Sequence, residues 1–130
     1  EYQFEFNGSY NYTLATILNN LSENDRSQGN QLPYTPKHKA QGNLRFTYKS
    51  NSAFVNGHWI GERYINTDNI SSVAPYGLLD IGFSKSLEFI PKVKASIGFQ
   101  VNNITNNDYQ VLRLRAMPGR NYLININITL

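Results

Sequence analysis

Cysteine does not occur in this chain of 130 residues. Its absence excludes a disulfide framework, a thiolate metal site and a cysteine nucleophile, while leaving the compartment open. Long apolar runs are lacking as well: no stretch approaches the roughly 18 consecutive apolar residues of a membrane-crossing helix. No segment carries the 3.6-residue period of an amphipathic helix. A signal-peptide pattern is missing, and the chain opens on Glu1 already inside the alternating run "EYQFEF", so a fragment of a larger protein is expected. Charge of one sign is scarce, with twelve Lys and Arg against nine Asp and Glu. The tight basic cluster is Lys37-His38-Lys39, with Arg113, Arg115 and Arg120 more loosely spaced. A nucleic-acid interface would gather more positive charge on one face, so no nucleic-acid partner is expected.

What the chain does have is period-2 alternation. It is 40% hydrophobic at a mean hydropathy of −0.47, so apolar residues are interleaved with polar ones. Tyr2, Phe4, Phe6, Gly8, Tyr10, Tyr12 and Leu14 alternate with Glu5, Asn7, Ser9, Asn11 and Thr13. A second run sets Ala40, Gly42, Leu44, Phe46 and Tyr48 against Gln41, Asn43, Arg45, Thr47 and Lys49. A third extends from Ala53 to Ile65, a fourth from Leu79 to Phe89, a fifth from Lys94 to Asn102. The last, "RNYLININITL", places Tyr122, Ile124, Ile126, Ile128 and Leu130 opposite Asn125, Asn127 and Thr129. Alternation of this kind marks strands with two unlike faces. The fold class is therefore all-β, an antiparallel up-and-down meander of about six long strands.

The connections alternate in length. Those around residues 19–36, 66–75 and 103–118 are long; those around Ser50-Asn51-Ser52 and Ile90-Pro91-Lys92 are tight. In a meander, alternate connections lie at opposite ends of the sheet, so all long loops share one end, as in outer-membrane barrels. Runs of ten or more residues match a tilted bilayer-crossing strand better than the usual soluble strand of about 5–6. Tyr10, Tyr12, Tyr64 and Tyr76 fall toward the loop end and Tyr48 and Phe89 toward the turn end, the placement of an aromatic girdle. Lys85 and Arg63 occupy the apolar parity, but near strand ends, where each is expected to snorkel to an interface.

The tail "VNNITNNDYQVLRLRAMPGRNYLININITL" resembles the C-terminal end of TonB-dependent outer-membrane receptors. The likeness rests on "VxNITNxxY" from Val101 to Tyr109, on Pro118-Gly119-Arg120, and on the amphipathic final run. "LPYTPKHKAQGNLRFTY" is similar to that family's entry into a descending strand. Leu130 stands where the family's assembly signal usually ends in an aromatic residue. The resemblance implies that residues 1–130 are a C-terminal portion of a 22-stranded transmembrane barrel, with the plug domain and earlier strands outside this chain. It also implies import of siderophore-iron or cobalamin with TonB-derived energy, TonB engaging the missing N-terminal part. Outer-membrane lipid would meet the apolar face, and the assembly machinery would read Tyr122, Ile124, Ile126, Ile128 and Leu130.

No catalytic signature is present: GxSxG, P-loop and HExxH patterns are absent. Asp80 and Glu88 share a face but lie about 26 Å apart on a strand, too far for a carboxylate dyad. His58 and Glu62 share the polar parity and read as a lumen-facing hydrogen-bonding pair rather than a metal site. Neither an enzyme nor a cofactor is expected. Arg113 and Arg115 are the candidate contacts for an anionic cargo, through the forked geometry of guanidinium. Two other readings stay open: a soluble lipocalin-like or fatty-acid-binding-like barrel, and a structural or adhesive β-module. Isolated in water, six strands with two bare edges and an apolar face are expected to self-associate.

Overall fold

The computed structural model describes the backbone of residues 2–20, 22–90 and 93–129, and their side chains outside 88–93. The strands are β1 (Tyr2–Tyr12), β2 (His38–Tyr48), β3 (Asn51–Ile60), β4 (Arg63–Tyr64), β5 (Ser72–Val73), β6 (Tyr76–Ile90), β7 (Val93–Asn102) and β8 (Asn121–Thr129). Six form one sheet in the order β1-β2-β3-β6-β7-β8, every neighbouring pair antiparallel. The expected meander is thus present. Its strands of 9 to 15 residues are long for a soluble sheet.

Register keeps the two faces apart across the sheet. Phe6 stands opposite Leu44, Leu44 opposite Val55, Val55 opposite Ile81, Ile81 opposite Val101 and Val101 opposite Tyr122. A second apolar row runs through Phe4, Phe46, Ala53, Phe83, Phe99 and Ile124. A one-residue slip would turn a whole strand inside out, so this agreement is the strongest statement the sequence makes about the fold. The apolar face covers no core. Among the described residues the buried hydrophobics are Val73 and Val101, whereas Phe6 is 75% and Ile124 69% exposed. Such a face suits hydrocarbon, not water.

Aromatic side chains mark both rims of that face. Toward the turn end, Tyr2 stacks on Tyr48 at 4.6 Å and Phe4 packs on Phe46 at 4.7 Å. Toward the loop end, the Tyr10 hydroxyl meets His38 Nδ1 at 2.7 Å and the Tyr12 ring lies 5.2 Å from the imidazole. Lys85 is exposed near the turn end, opposite Asn51.

The sheet departs from the sequence expectation in several places. The third run does not reach Ile65. At Gly61 the chain leaves the sheet, its N–H donating to the His38 carbonyl at 2.9 Å. A Cβ on Gly61 would stand 3.0 Å from that carbonyl oxygen. Gly61→Val is therefore expected to pry β2 from the end of β3 and lower stability by about 1–3 kcal/mol; heat-induced unfolding of the parent protein measures it, and an unchanged midpoint would contradict this account. Beyond Gly61, β4 and β5 form a separate small hairpin. Tyr64 consequently lies outside the wall, and Tyr76, opposite Ile60, falls on the polar parity, so neither belongs to the girdle. The first tight connection is Lys49-Ser50, one residue earlier than expected, with Lys49 at φ 52°. At the second, Ile90 pairs with Val93 after a register shift; Pro91 and Lys92 lie outside the described residues.

Candidate functional site: the inner wall and the outer loops

Every second residue of each strand points to the polar face. There, one row is almost entirely carboxamide. Asn7 stands opposite Asn43, Asn43 opposite Asn56, and Asn56 opposite Asp80. Because Ile81 faces Val101, Asp80 and Asn102 stand at one level, and Asn102 faces Asn121. The amides bond along the row: Asn43 Nδ2 donates to Asn56 Oδ1, and Asn102 Nδ2 donates to Asn121 Oδ1 at 2.7 Å. A shallow concavity of about 500 Å³ lies over Asn7, Asn43, Asn56, His58 and Asp80. It offers carboxamide donors and acceptors, the His58 imidazole and one carboxylate.

The long connections are organised by hydrogen bonds rather than by a core. In the first, residues 15–17 return against 29–32: Ile17 N–H donates to the Asn30 carbonyl at 2.9 Å and Leu32 N–H to that of Ala15 at 2.8 Å. Gly29, at φ 84°, sits in the local turn closed by the Asn30 N–H donating to the Ser27 carbonyl at 2.9 Å. Gln31 is 3% exposed. Its backbone and the Asn69 amide satisfy each other, N–H to Oδ1 at 2.8 Å and Nδ2 to carbonyl at 2.9 Å. Tyr34 N–H adds a 2.7 Å bond to the Tyr64 carbonyl. The first loop is thereby docked on the β4–β5 hairpin.

Arg63 joins that hairpin to the third loop. It is 3% exposed. Its Nη2 donates to the Ala74 and Gln110 carbonyls, each at 3.0 Å, and Nη1 to the Val111 carbonyl at 3.3 Å. The guanidinium carbon lies 5.0 Å from the Tyr76 ring centroid. Nε is buried without a hydrogen-bond partner, which costs on the order of 1–3 kcal/mol against the gains at the other nitrogens. Tyr76 in turn packs on Tyr109 at 4.8 Å and takes His58 edge-on at 6.2 Å. Burial, with Tyr76 and Asp80 nearby, raises the Tyr109 phenol above its ordinary value. Between the β5 side and the third loop lies a cavity of about 600 Å³, whose lining includes Tyr76, Tyr109, Arg113, Leu114 and Met117. That size falls in the range of small-molecule pockets.

The "NITNN" stretch is a hydrogen-bonded turn. Asn103, 3% exposed and at φ 50°, receives the Asn107 N–H on Oδ1 and donates Nδ2 to the Asn107 carbonyl, both at 2.9 Å. Its own N–H donates to Asp80 Oδ1 at 2.8 Å. Asn106 Oδ1 accepts the Arg120 N–H at 2.8 Å, and Asn107 Nδ2 reaches the Gly77 carbonyl at 2.9 Å. The turn thus ties the ends of β6, β7 and β8.

Of the expected contacts, Arg113 lines the loop cavity; Arg115 is exposed outside that lining, its N–H donating to the Leu112 carbonyl at 3.1 Å. Tyr122, Ile124, Ile126 and Ile128 are exposed together on the apolar parity of β8, while Leu130 lies outside the described residues. His58 and Glu62 do not form the expected same-strand pair, because β3 ends between them. Glu62 instead accepts the Ser72 hydroxyl at 2.5 Å. Arg63, expected to snorkel, turns into the loop assembly. Its signal was available: a cation on an apolar parity has to find an exit or a partner. The Gln31–Asn69 pairing carries no signal in the local pattern.

The model of the family described as "TonB dependent receptor-like, beta-barrel" matches residues 1–104. Most of the tail from which the resemblance was read lies beyond that match. No curated protein matches. Among solved structures, BauA, the ferric preacinetobactin receptor from Acinetobacter baumannii, superposes with a TM-score of 0.79 at 20% identity. The superposition takes in 98% of this chain but 20% of that receptor, so the chain spans about a fifth of its length. The sheet is therefore a stretch of curved barrel wall, not closed on itself, and the soluble-barrel reading is set aside.

Proposed function

This chain belongs to the TonB dependent receptor-like β-barrel family of the bacterial outer membrane, and from that premise we propose that residues 1–130 are the C-terminal part of a 22-stranded barrel importing a scarce ligand with TonB-derived energy. The observation that carries this reading is the division of faces kept in register through six strands, with Phe54, Leu78 and Leu123 as apolar exceptions on the polar parity, together with the gathering of all long connections at one end. The segment contributes lipid-facing wall, a polar inner surface and outer loops that meet cargo. A ferric siderophore and cobalamin are the candidates; BauA is a receptor for ferric preacinetobactin. Arg113 and Arg115 would contact an anionic part of the cargo, Arg113 from within the loop cavity. Tyr122, Ile124, Ile126, Ile128 and Leu130 would present the apolar stripe that the barrel-assembly machinery reads. TonB would engage a part of the protein outside this chain.

Single cysteines at Ile126 and Asn127 in the intact parent protein, held in outer membranes, test the orientation. A water-soluble thiol reagent is expected to label position 127 at least tenfold faster than position 126. Equal labelling would sink the assignment of faces. Uptake of radiolabelled ferric chelates and of cobalamin, with and without an uncoupler, tests the transport role; uptake indifferent to both the gene and the uncoupler would refute it.

A further inference from the structure

We propose that Arg63 is a positioning residue for the loop cavity, holding its two walls at a fixed separation by one forked cation. This rests on the reading of the outer loops as the cargo-facing side. One wall of the cavity is the chain around Ala74, Pro75 and Tyr76; the other is the third loop, with Tyr109 and Arg113. Arg63 belongs to neither. It stands on β4 and donates to a carbonyl of each wall, Ala74 on one and Gln110 and Val111 on the other. The partners in the third loop lie 47 and 48 residues away in sequence, so no local turn could supply the constraint. The same guanidinium lies over Tyr76, whose ring supports Tyr109. One side chain thereby sets both the gap and the tilt of the aromatic pair.

The choice of arginine follows from the geometry. Carbonyls approached from different directions need separate nitrogens in a rigid plane, and the ring needs a flat cation. A lysine would bring the charge as a single point on a flexible stem. The burial of the whole group, Nε included, keeps water from competing for the carbonyls.

The test uses the full-length parent in outer membranes, with nitroxide labels on introduced cysteines at Ala74 and Ala116, both exposed residues lining the cavity. With Arg63 present, pulsed electron–electron distance measurements are expected to give one narrow distribution. Arg63→Ala and Arg63→Lys should each broaden it at least twofold. A narrow distribution in Arg63→Ala would overturn the proposal, and restoration by Arg63→Lys would overturn the forked clamp. Uptake kinetics with unlabelled variants supply the second reading. For whichever tracer the cells take up, ferric chelate or cobalamin, the half-saturating concentration should rise about tenfold or more in both variants, with the maximal rate kept. Broadened distances with an unchanged half-saturating concentration would overturn the cavity's part in cargo binding. If the wild-type protein takes up neither tracer, the transport reading fails, and the distance distributions still decide whether Arg63 holds the walls.

Discussion

Val55→Arg is expected to destabilise the parent barrel by about 2–4 kcal/mol, while Ser84→Arg leaves it nearly unchanged. Val55 is mid-strand in β3, and its neighbours across the apolar face, Leu44 and Ile81, are themselves well inside their strands. A guanidinium there has no short route to either water boundary, unlike Lys85, which stands near the turn end of β6. The cost of a cation at mid-bilayer falls steeply toward the interfaces, so depth rather than charge decides the outcome. Ser84 lies on the inner face, where the native Arg45 already sits mid-strand opposite Phe54. Reversible unfolding in lipid vesicles would show the difference as a roughly 30-fold to 1,000-fold shift in the folding equilibrium. Equal effects of the two substitutions would mean that the apolar face does not meet lipid.

The second large effect is expected at Asn103. Asn103→Ala removes both side-chain bonds to Asn107, each worth about 1 kcal/mol net. Alanine must also hold the left-handed conformation, at φ 50°, without the local side-chain bonds by which asparagine tolerates it. Together these come to about 2–3 kcal/mol, enough to open the β7–β8 connection locally. Amide hydrogen exchange at Ile104, Asn106 and Asn107 should accelerate by about 30-fold or more. Asn103→Gly separates the two causes: glycine accepts the conformation without strain but restores neither hydrogen bond, so its exchange should fall between wild type and Asn103→Ala. If glycine proved as damaging as alanine, the left-handed conformation would carry none of the cost.

The wall was legible in the sequence because a strand with unlike faces writes its orientation into every second residue. Phe6, Leu44, Val55, Ile81 and Val101 needed only correct parity to be placed side by side, and the tight connections fixed which strands were neighbours. The bend at Gly61 was not legible in this way. His58 and Glu62 keep the polar parity on either side of it, and the break depends on the His38 carbonyl, a contact in three dimensions. Arg63 was misplaced for the same reason, since parity has no meaning beyond the last paired residue; Tyr76 is paired with Ile60 and shares the parity of Asp80, so its polar facing could have been read from the run itself. In the loops almost nothing was legible. Gln31 meets Asn69 across 38 residues, and Arg63 meets Val111 across 48; contacts at such separations leave no periodic trace. Arg113 and Arg115 were equivalent as charges, and only the path of the third loop puts the first in the cavity lining and the second outside it.

The row from Asn7 to Asn121 is built from five carboxamides and the single carboxylate of Asp80. Carboxamides neither gain nor lose protons across any biological acidity. The dipoles paired at hydrogen-bond distance, Asn43 with Asn56 and Asn102 with Asn121, are scarcely touched by the ionic screening that weakens contacts between separated charges. At that level the carboxamides of the polar face therefore keep the same donors and acceptors across salt and acidity, and any response to acidity falls to Asp80 and to His58 beside it.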